Sequence, residues 1–103
     1  MLAEISVTPI DKTTEGFSQY VSQSIDIIQN SGLDYVLTPM GTIIEGDAEK
    51  VFDLIKEVHI NMAKQSDRVS TSIKIDDRKG KTGAIRSKTE SVEKSLGKNI
   101  NRV

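Results

Sequence analysis

The sequence predicts an α+β domain in two layers, a four-stranded antiparallel sheet with two helices on one face and an added helix at the C-terminal end. Three observations carry that expectation. Residues 2–8 and 68–76 alternate apolar and polar side chains with the period of a strand, and residues 17–28 and 51–62 repeat apolar side chains at helical spacing. Between the two helical stretches lie two short β-favouring runs around a Pro and a Gly. The order is therefore strand, helix, strand, strand, helix, strand, helix.

Each element has a local reason. In Leu2–Thr8, Ala3, Ile5 and Val7 point one way and Glu4, Ser6 and Thr8 the other, and Pro9 limits the strand. Asp11 to Thr14 form a polar loop with capping candidates. Phe17, Tyr20, Val21, Ser24, Ile25 and Ile28 then mark one helical stripe, which Asn30-Ser31-Gly32 stops. Leu33–Thr38 and Thr42–Glu45 make a pair of strands joined by a tight turn at Pro39 and Gly41. Asp47 is placed to cap a second helix, with a stripe of Val51, Phe52, Ile55, Val58, His59 and Met62, which ends near Lys64. Arg68–Asp76 is the fourth strand, with Val69, Thr71, Ile73 and Ile75 on one side. Asp77–Gly83 reads as a basic loop. A last helix follows, with Ser87 and Glu90 at capping-box spacing, Val92 and Leu96 as an i, i+4 pair and Gly97 as its terminator.

This order names the split βαβ, or ferredoxin-like, arrangement. Right-handed crossovers put the first two helices on one face and the first and third strands in the centre, leaving the other face open. With 103 residues the chain has room for one domain, residues 1–103. Zero cysteines exclude disulfides, thiolate metal sites and cysteine nucleophiles. No apolar run approaches the roughly 20 residues of a membrane span, and the start of the chain, interrupted by Glu4, does not read as a secretory signal. The expected location is the cytoplasm.

The formal net charge is −1, without the basic excess of a nucleic-acid binder. Residues 1–75 carry 6 basic and 11 acidic side chains, residues 76–103 carry 8 and 4, so an acidic body precedes a basic tail. A solvated surface helix and loop accounts for that tail more simply than a docking segment. RNA-recognition domains share this element order but stack bases on open-face aromatics. Of Phe17, Tyr20, Tyr35 and Phe52, three fall on helix stripes and read as core, which leaves Tyr35 on an edge strand.

Catalytic chemistry is hard to assemble. His59 is the single histidine and lies in a helix stripe, where a packing role outweighs a general-base role. Without cysteine or a second histidine no conventional transition-metal site is expected. Asp47 and Glu49 suit the positive end of the second helix, and no phosphate loop or hydrolase motif occurs. Small-ligand binding fits better. If Ala3, Ile5 and Val7 face the helices, Glu4, Ser6 and Thr8 line the uncovered face, joined by Ser70, Ser72 and Lys74. Pairing two such faces would bury surface that a thin core leaves exposed and create polar pockets between subunits. There Glu4 or Glu45 would accept hydrogen bonds from an aminopyrimidine or balance a cation.

Three ordered segments, Glu4-Ile-Ser-Val-Thr-Pro-Ile10, Pro39-Met-Gly-Thr-Ile-Ile-Glu-Gly46 and Arg68-Val-Ser-Thr-Ser-Ile-Lys-Ile75, together with Ser91-Val92-Glu93-Lys94, resemble the small thiamine-binding protein family. The likeness runs through almost the whole chain. It implies a ferredoxin-like domain, dimers or tetramers formed through sheet faces, and binding of thiamine or a hydroxymethylpyrimidine-like precursor without catalysis and without a cofactor. Matching polar positions are Ser6 and Thr8, Thr42 and Glu45, and Ser70, Ser72 and Lys74, with Ser6, Thr42 and Ser72 expected to orient the ligand. Thr38 departs from the pattern, because many relatives have a histidine there. The rival expectation is an interaction protein that uses its open sheet only for assembly; an enzyme acting on a thiamine precursor, through His59 or Glu45, ranks below both.

Overall fold

The computed structural model describes the backbone of residues 1–103 and the side chains of residues 1–12 and 16–103. The elements are β1 (Leu2–Pro9), a 3-10 helix (Ile10–Glu15), α1 (Ser18–Asn30), β2 (Asp34–Thr38), β3 (Gly41–Glu45), α2 (Ala48–Ala63), β4 (Val69–Asp76) and α3 (Ala84–Leu96). Their sheet order is β2-β3-β1-β4, all neighbours antiparallel, with β1 and β3 central. This is the ferredoxin-like α+β arrangement that the order of elements predicts.

Alternation in β1 decides which face is covered. Ala3 and Ile5 are buried and Glu4 is exposed. Ile28 of α1, Ile44 of β3, and Val51, Leu54, Ile55 and Val58 of α2 complete the core above them. The helix stripes differ from expectation in one respect. Leu54 takes the buried position of α2 while Phe52 is 51 % exposed, and Phe17 and Val21 of the first stripe are more than one-third exposed, so Tyr20 alone of the three stripe aromatics is core. A stripe wide enough to include both Leu54 and Phe52 exceeds what one sheet can cover, and Phe52 falls on its outer margin.

The helix ends also separate position from mechanism. Asp47 is the N-cap of α2 as expected, yet its side chain makes no cap hydrogen bond. Ser31 follows α1, its Oγ donating to the Ile28 carbonyl at 2.5 Å. Gly97, at φ 71°, terminates α3 in the left-handed conformation that favours glycine. The segment after β1 is a 3-10 helix and not an open loop; capping by Thr13 and Thr14 concerns side chains outside the described residues. Asp11 instead ties this segment to the α2–β4 connection, accepting hydrogen bonds from the Ser66 hydroxyl and, at 2.9 Å, from the Asp67 N–H. Among the described residues no helix is long and apolar enough to cross a membrane.

The third helix departs from the compact body. The Cα radius of gyration is 15.1 Å, against about 13 Å for a compact domain of this length. Only Ala84 and Ile85 of α3 are buried, while Val92 and Leu96 stand about half exposed. α3 therefore joins the body by its first turn and by the ion pair of Lys88 with Asp76 at 2.7 Å.

Asp11 yields a pH prediction. The Ser66 hydroxyl foremost, and then the Asp67 N–H, hold its carboxyl below the usual carboxylate range. A carboxyl whose folded-state pKa is depressed stabilises the fold above its unfolded value of about 4, and that contribution is lost as pH falls through the folded-state value. In thermal melts followed by circular dichroism, Asp11→Ala should melt below the parent at pH 7, and the gap should narrow at pH 3.

Candidate functional site

β1 is paired unequally, and the inequality makes a cavity. On one side it pairs with β4 along its whole length, from Leu2 opposite Asp76 to Pro9 opposite Val69. On the other, pairing with β3 stops at Ile5 opposite Thr42, because the chain turns back through Thr38–Gly41 into β2. Ser6, Val7 and Thr8 thus have one free edge. The direction of their backbone groups follows from the ladder: Ile10 donates its N–H to the Arg68 carbonyl at 2.8 Å, so even-numbered residues of β1 bond to β4 and odd-numbered ones face the other way. Val7 therefore turns its N–H and C=O toward the edge that β3 does not reach.

Next to this edge lies a cavity of about 270 Å³. Its walls are largely apolar, from Ile5 and Val7 beneath, Phe17, Val21 and Ile28 above, and Leu37, Pro39 and Met40 of the hairpin at the side. Thr42 on β3 and Ser24 on α1 contribute hydroxyls, and no described lining residue carries a titratable side chain. The volume sits just below the usual range of roughly 300–1,000 Å³ for ligand pockets, which suits a single small ring system. Met40 is 84 % exposed at the mouth, and its flexible thioether side chain adapts to aromatic surfaces.

The hairpin that forms this wall is locked locally. The Thr38 hydroxyl donates to the Gly41 carbonyl at 2.8 Å and accepts from the Met40 N–H at 3.3 Å. Gly41 is required by contact: a Cβ there would come within 2.8 Å of the Ile5 carbonyl oxygen. That oxygen belongs to the backbone and cannot swing aside.

The residues expected from sequence to form one site are divided by the fold. Glu4, Ser6, Thr8, Ser70, Ser72 and Lys74 share the open sheet face, with Glu4 opposite Lys74, Ser6 opposite Ser72 and Thr8 opposite Ser70. Thr42 faces the other way: it lies opposite Ile5, is 7 % exposed and lines the cavity under the helices. Side chains alternate at every residue of a strand, so Thr42 and Ser72 lie on opposite faces and cannot orient one molecule. Ser6 and Thr8 nevertheless reach the cavity at the free edge of β1. The open face is less polar than expected, since Leu2, Val36 and Ile43 share it with the hydroxyls. The apolar wall had one readable signal, the stripe Phe17, Val21, Ile28, but alternation by itself does not reveal where a neighbouring strand ends.

Glu45 has a different occupation. It points to the open face opposite Leu2 and its two oxygens accept the N–H groups of Ala84 at 2.8 Å and Ile85 at 3.2 Å. This carboxylate, 39 residues away in sequence, caps α3 and faces the positive end of its dipole. The expected capping box is displaced accordingly: α3 begins at Ala84, with Gly83 as N-cap, and Ser87 lies inside it with a buried hydroxyl that has no hydrogen-bond partner. His59 is likewise engaged, its Nδ1 2.6 Å from the Thr71 hydroxyl between α2 and β4.

Comparison with known proteins agrees with this architecture. The family model described as thiamine-binding protein matches residues 3–93. The UPF0045 protein YqgV of Bacillus subtilis is 37 % identical over 100 residues, covering 92 % of this chain and 96 % of that one. The crystal structure of a hypothetical protein from Methanocaldococcus jannaschii, 34 % identical, has a TM-score of 0.77 over 95 % of this chain and 96 % of its own. A putative thiamine biosynthesis/salvage protein of Thermotoga maritima shares the fold, with a TM-score of 0.73 at 24 % identity over 91 % of this chain and 96 % of its own.

Two substitutions check the geometry. Glu45→Ala should cost about 1–2 kcal/mol and, in hydrogen exchange, should deprotect the Ala84 and Ile85 amides ahead of the rest of the domain. Gly41→Ala should lower stability by about 1–3 kcal/mol in denaturant titration, as the hairpin moves away from Ile5.

Proposed function

Because this chain belongs to the thiamine-binding protein family, we propose that it binds thiamine or a related hydroxymethylpyrimidine, without chemical turnover, in the cavity between α1 and the free edge of β1. The observation that carries this reading is a strand edge opening into an apolar pocket. Val7 offers one N–H and one C=O side by side there, and an aminopyrimidine presents the complementary pair, a ring nitrogen that accepts and an amino group that donates. Apolar walls bury the ring faces, and the Thr42 and Ser24 hydroxyls add direction. The described lining residues carry no titratable side chain, which supports binding over general acid–base catalysis, for which a positioned titratable side chain is the usual proton carrier. Neither Glu4, on the opposite face of the sheet, nor Glu45, committed to α3, is needed for recognition.

A second reading, assembly through the open sheet face without a ligand, is favoured by Leu2, Val36 and Ile43 on that face and by the half-exposed Val92 and Leu96 of α3. Titration calorimetry separates the two. Thiamine or hydroxymethylpyrimidine should bind the parent and be recovered unchanged by mass spectrometry. Thr42→Val should weaken binding about fivefold, the worth of one hydrogen bond near 1 kcal/mol, while leaving the melting temperature close to that of the parent. Absence of heat with both compounds at millimolar concentration would remove the ligand reading and leave assembly.

A further inference from the structure

The sulfur of this chain lies in three methionines, with no cysteine. Their surroundings differ sharply. Met62 of α2 is 1 % exposed, and Met1 packs partly buried against the core. Met40, at the tip of the turn between β2 and β3, is 84 % exposed. Oxidation of a sulfur side chain follows its exposure, so an oxidant dissolved in water meets Met40 first, and no thiol on the chain competes for it. Met40 also lines the cavity of about 270 Å³, where with Phe17, Leu37 and Pro39 it belongs to the apolar wall. The backbone beneath it is held without the sulfur. The Thr38 hydroxyl donates to the Gly41 carbonyl at 2.8 Å and accepts from the Met40 N–H at 3.3 Å, and Gly41 lies close against the Ile5 carbonyl. A chemical change at the sulfur therefore acts on the mouth of the cavity and not on the conformation of the hairpin.

We propose that Met40 is a site of reversible oxidation by hydroperoxides and that its sulfoxide weakens ligand binding in the cavity, an effect that rests on the cavity being the ligand site. A lone pair of the Met40 sulfur attacks one oxygen of the peroxide, and the O–O bond breaks as the S–O bond forms. The other oxygen takes up the proton of the transferred one and leaves as water, or as an alcohol from an alkyl hydroperoxide. Sulfur loses an electron pair to oxygen and the peroxide is reduced; no side chain of the protein takes part. The product is a polar, chiral group. Its oxygen keeps water at a rim that a bound ring would otherwise dry, and the soft contact of a thioether with an aromatic ring is lost. Reversal takes two thiols, which become a disulfide while the oxygen leaves as water. The chain supplies neither thiol, so the sulfoxide persists until a methionine sulfoxide reductase acts on it.

Dilute hydrogen peroxide followed by peptide mass mapping locates the added oxygen. It should appear on the peptide that contains Met40 before the one that contains Met62, with the melting temperature unchanged. Titration calorimetry with thiamine and with hydroxymethylpyrimidine should then show binding to the oxidised parent weakened about fivefold, the loss of one sulfur–aromatic contact. Treatment with both methionine sulfoxide reductases and dithiothreitol should restore it. Met40→Leu, whatever its own affinity, should bind equally before and after peroxide, and Met40→Gln, polar and similar in length to the sulfoxide, should match the oxidised parent. A parent that binds as tightly after oxidation at Met40 as before, or one oxidised first at Met62, would overturn the proposal and leave the ligand reading standing. An untreated parent that binds neither compound would overturn both.

Discussion

The structure depends on β1 being longer than one of its two neighbours. It meets β4 along its whole length but runs past the end of β3 after Ile5. A backbone amide left unpaired in a dry interior costs free energy comparable to a lost hydrogen bond. The overhang is therefore tolerable only where water, or a molecule that imitates a strand, reaches Val7. The cavity is thus a product of strand length, and its recognition groups come with it.

Two contacts distant in sequence keep that arrangement in place. Asp11 holds the exit of β1 against the start of β4 through Ser66 and Asp67, which fixes the direction in which the overhanging residues leave the sheet. Glu45, at the other end of the sheet, takes over the first turn of α3. A buried carboxylate accepting two N–H groups from a helix end satisfies its own charge and two orphan donors together. That position would otherwise attract an anionic ligand, so the same bond removes both Glu45 and the α3 N-terminus from small-molecule binding.

What could be read from sequence divides along physical lines. Periodicity reports the direction of each side chain relative to its own element, so the strands, the first two helices, the sheet order and the polar composition of β1 and β4 on the open face were all legible. The divided site was legible in part. Counting from the turn at Pro39 and Gly41 does not reveal whether Thr42 pairs with an even or an odd residue of β1, and that single unit of register moves Thr42 from one face to the other. The role of Glu45 was beyond local pattern, because its partners lie 39 and 40 residues away. Ser87 and Glu90, at capping-box spacing, point to a later start of α3 than Ala84, where the Glu45 cap sets it. Phe52 shows the remaining limit: a helix stripe states which side is apolar, not how far the sheet beneath it extends.

β1 connects the cavity to the edge strand β4 while keeping them apart. Its even-numbered residues hold β4, and its odd-numbered residue Val7 faces the cavity on the opposite side. β4 is bonded to β1 at Ser6 and Thr8, on either side of Val7, so it lowers the conformational freedom that Val7 would lose on binding a ligand. A ligand site built on a strand end gains order from whatever stiffens that strand. In this fold the stiffening strand is β4, on the side of β1 away from the cavity.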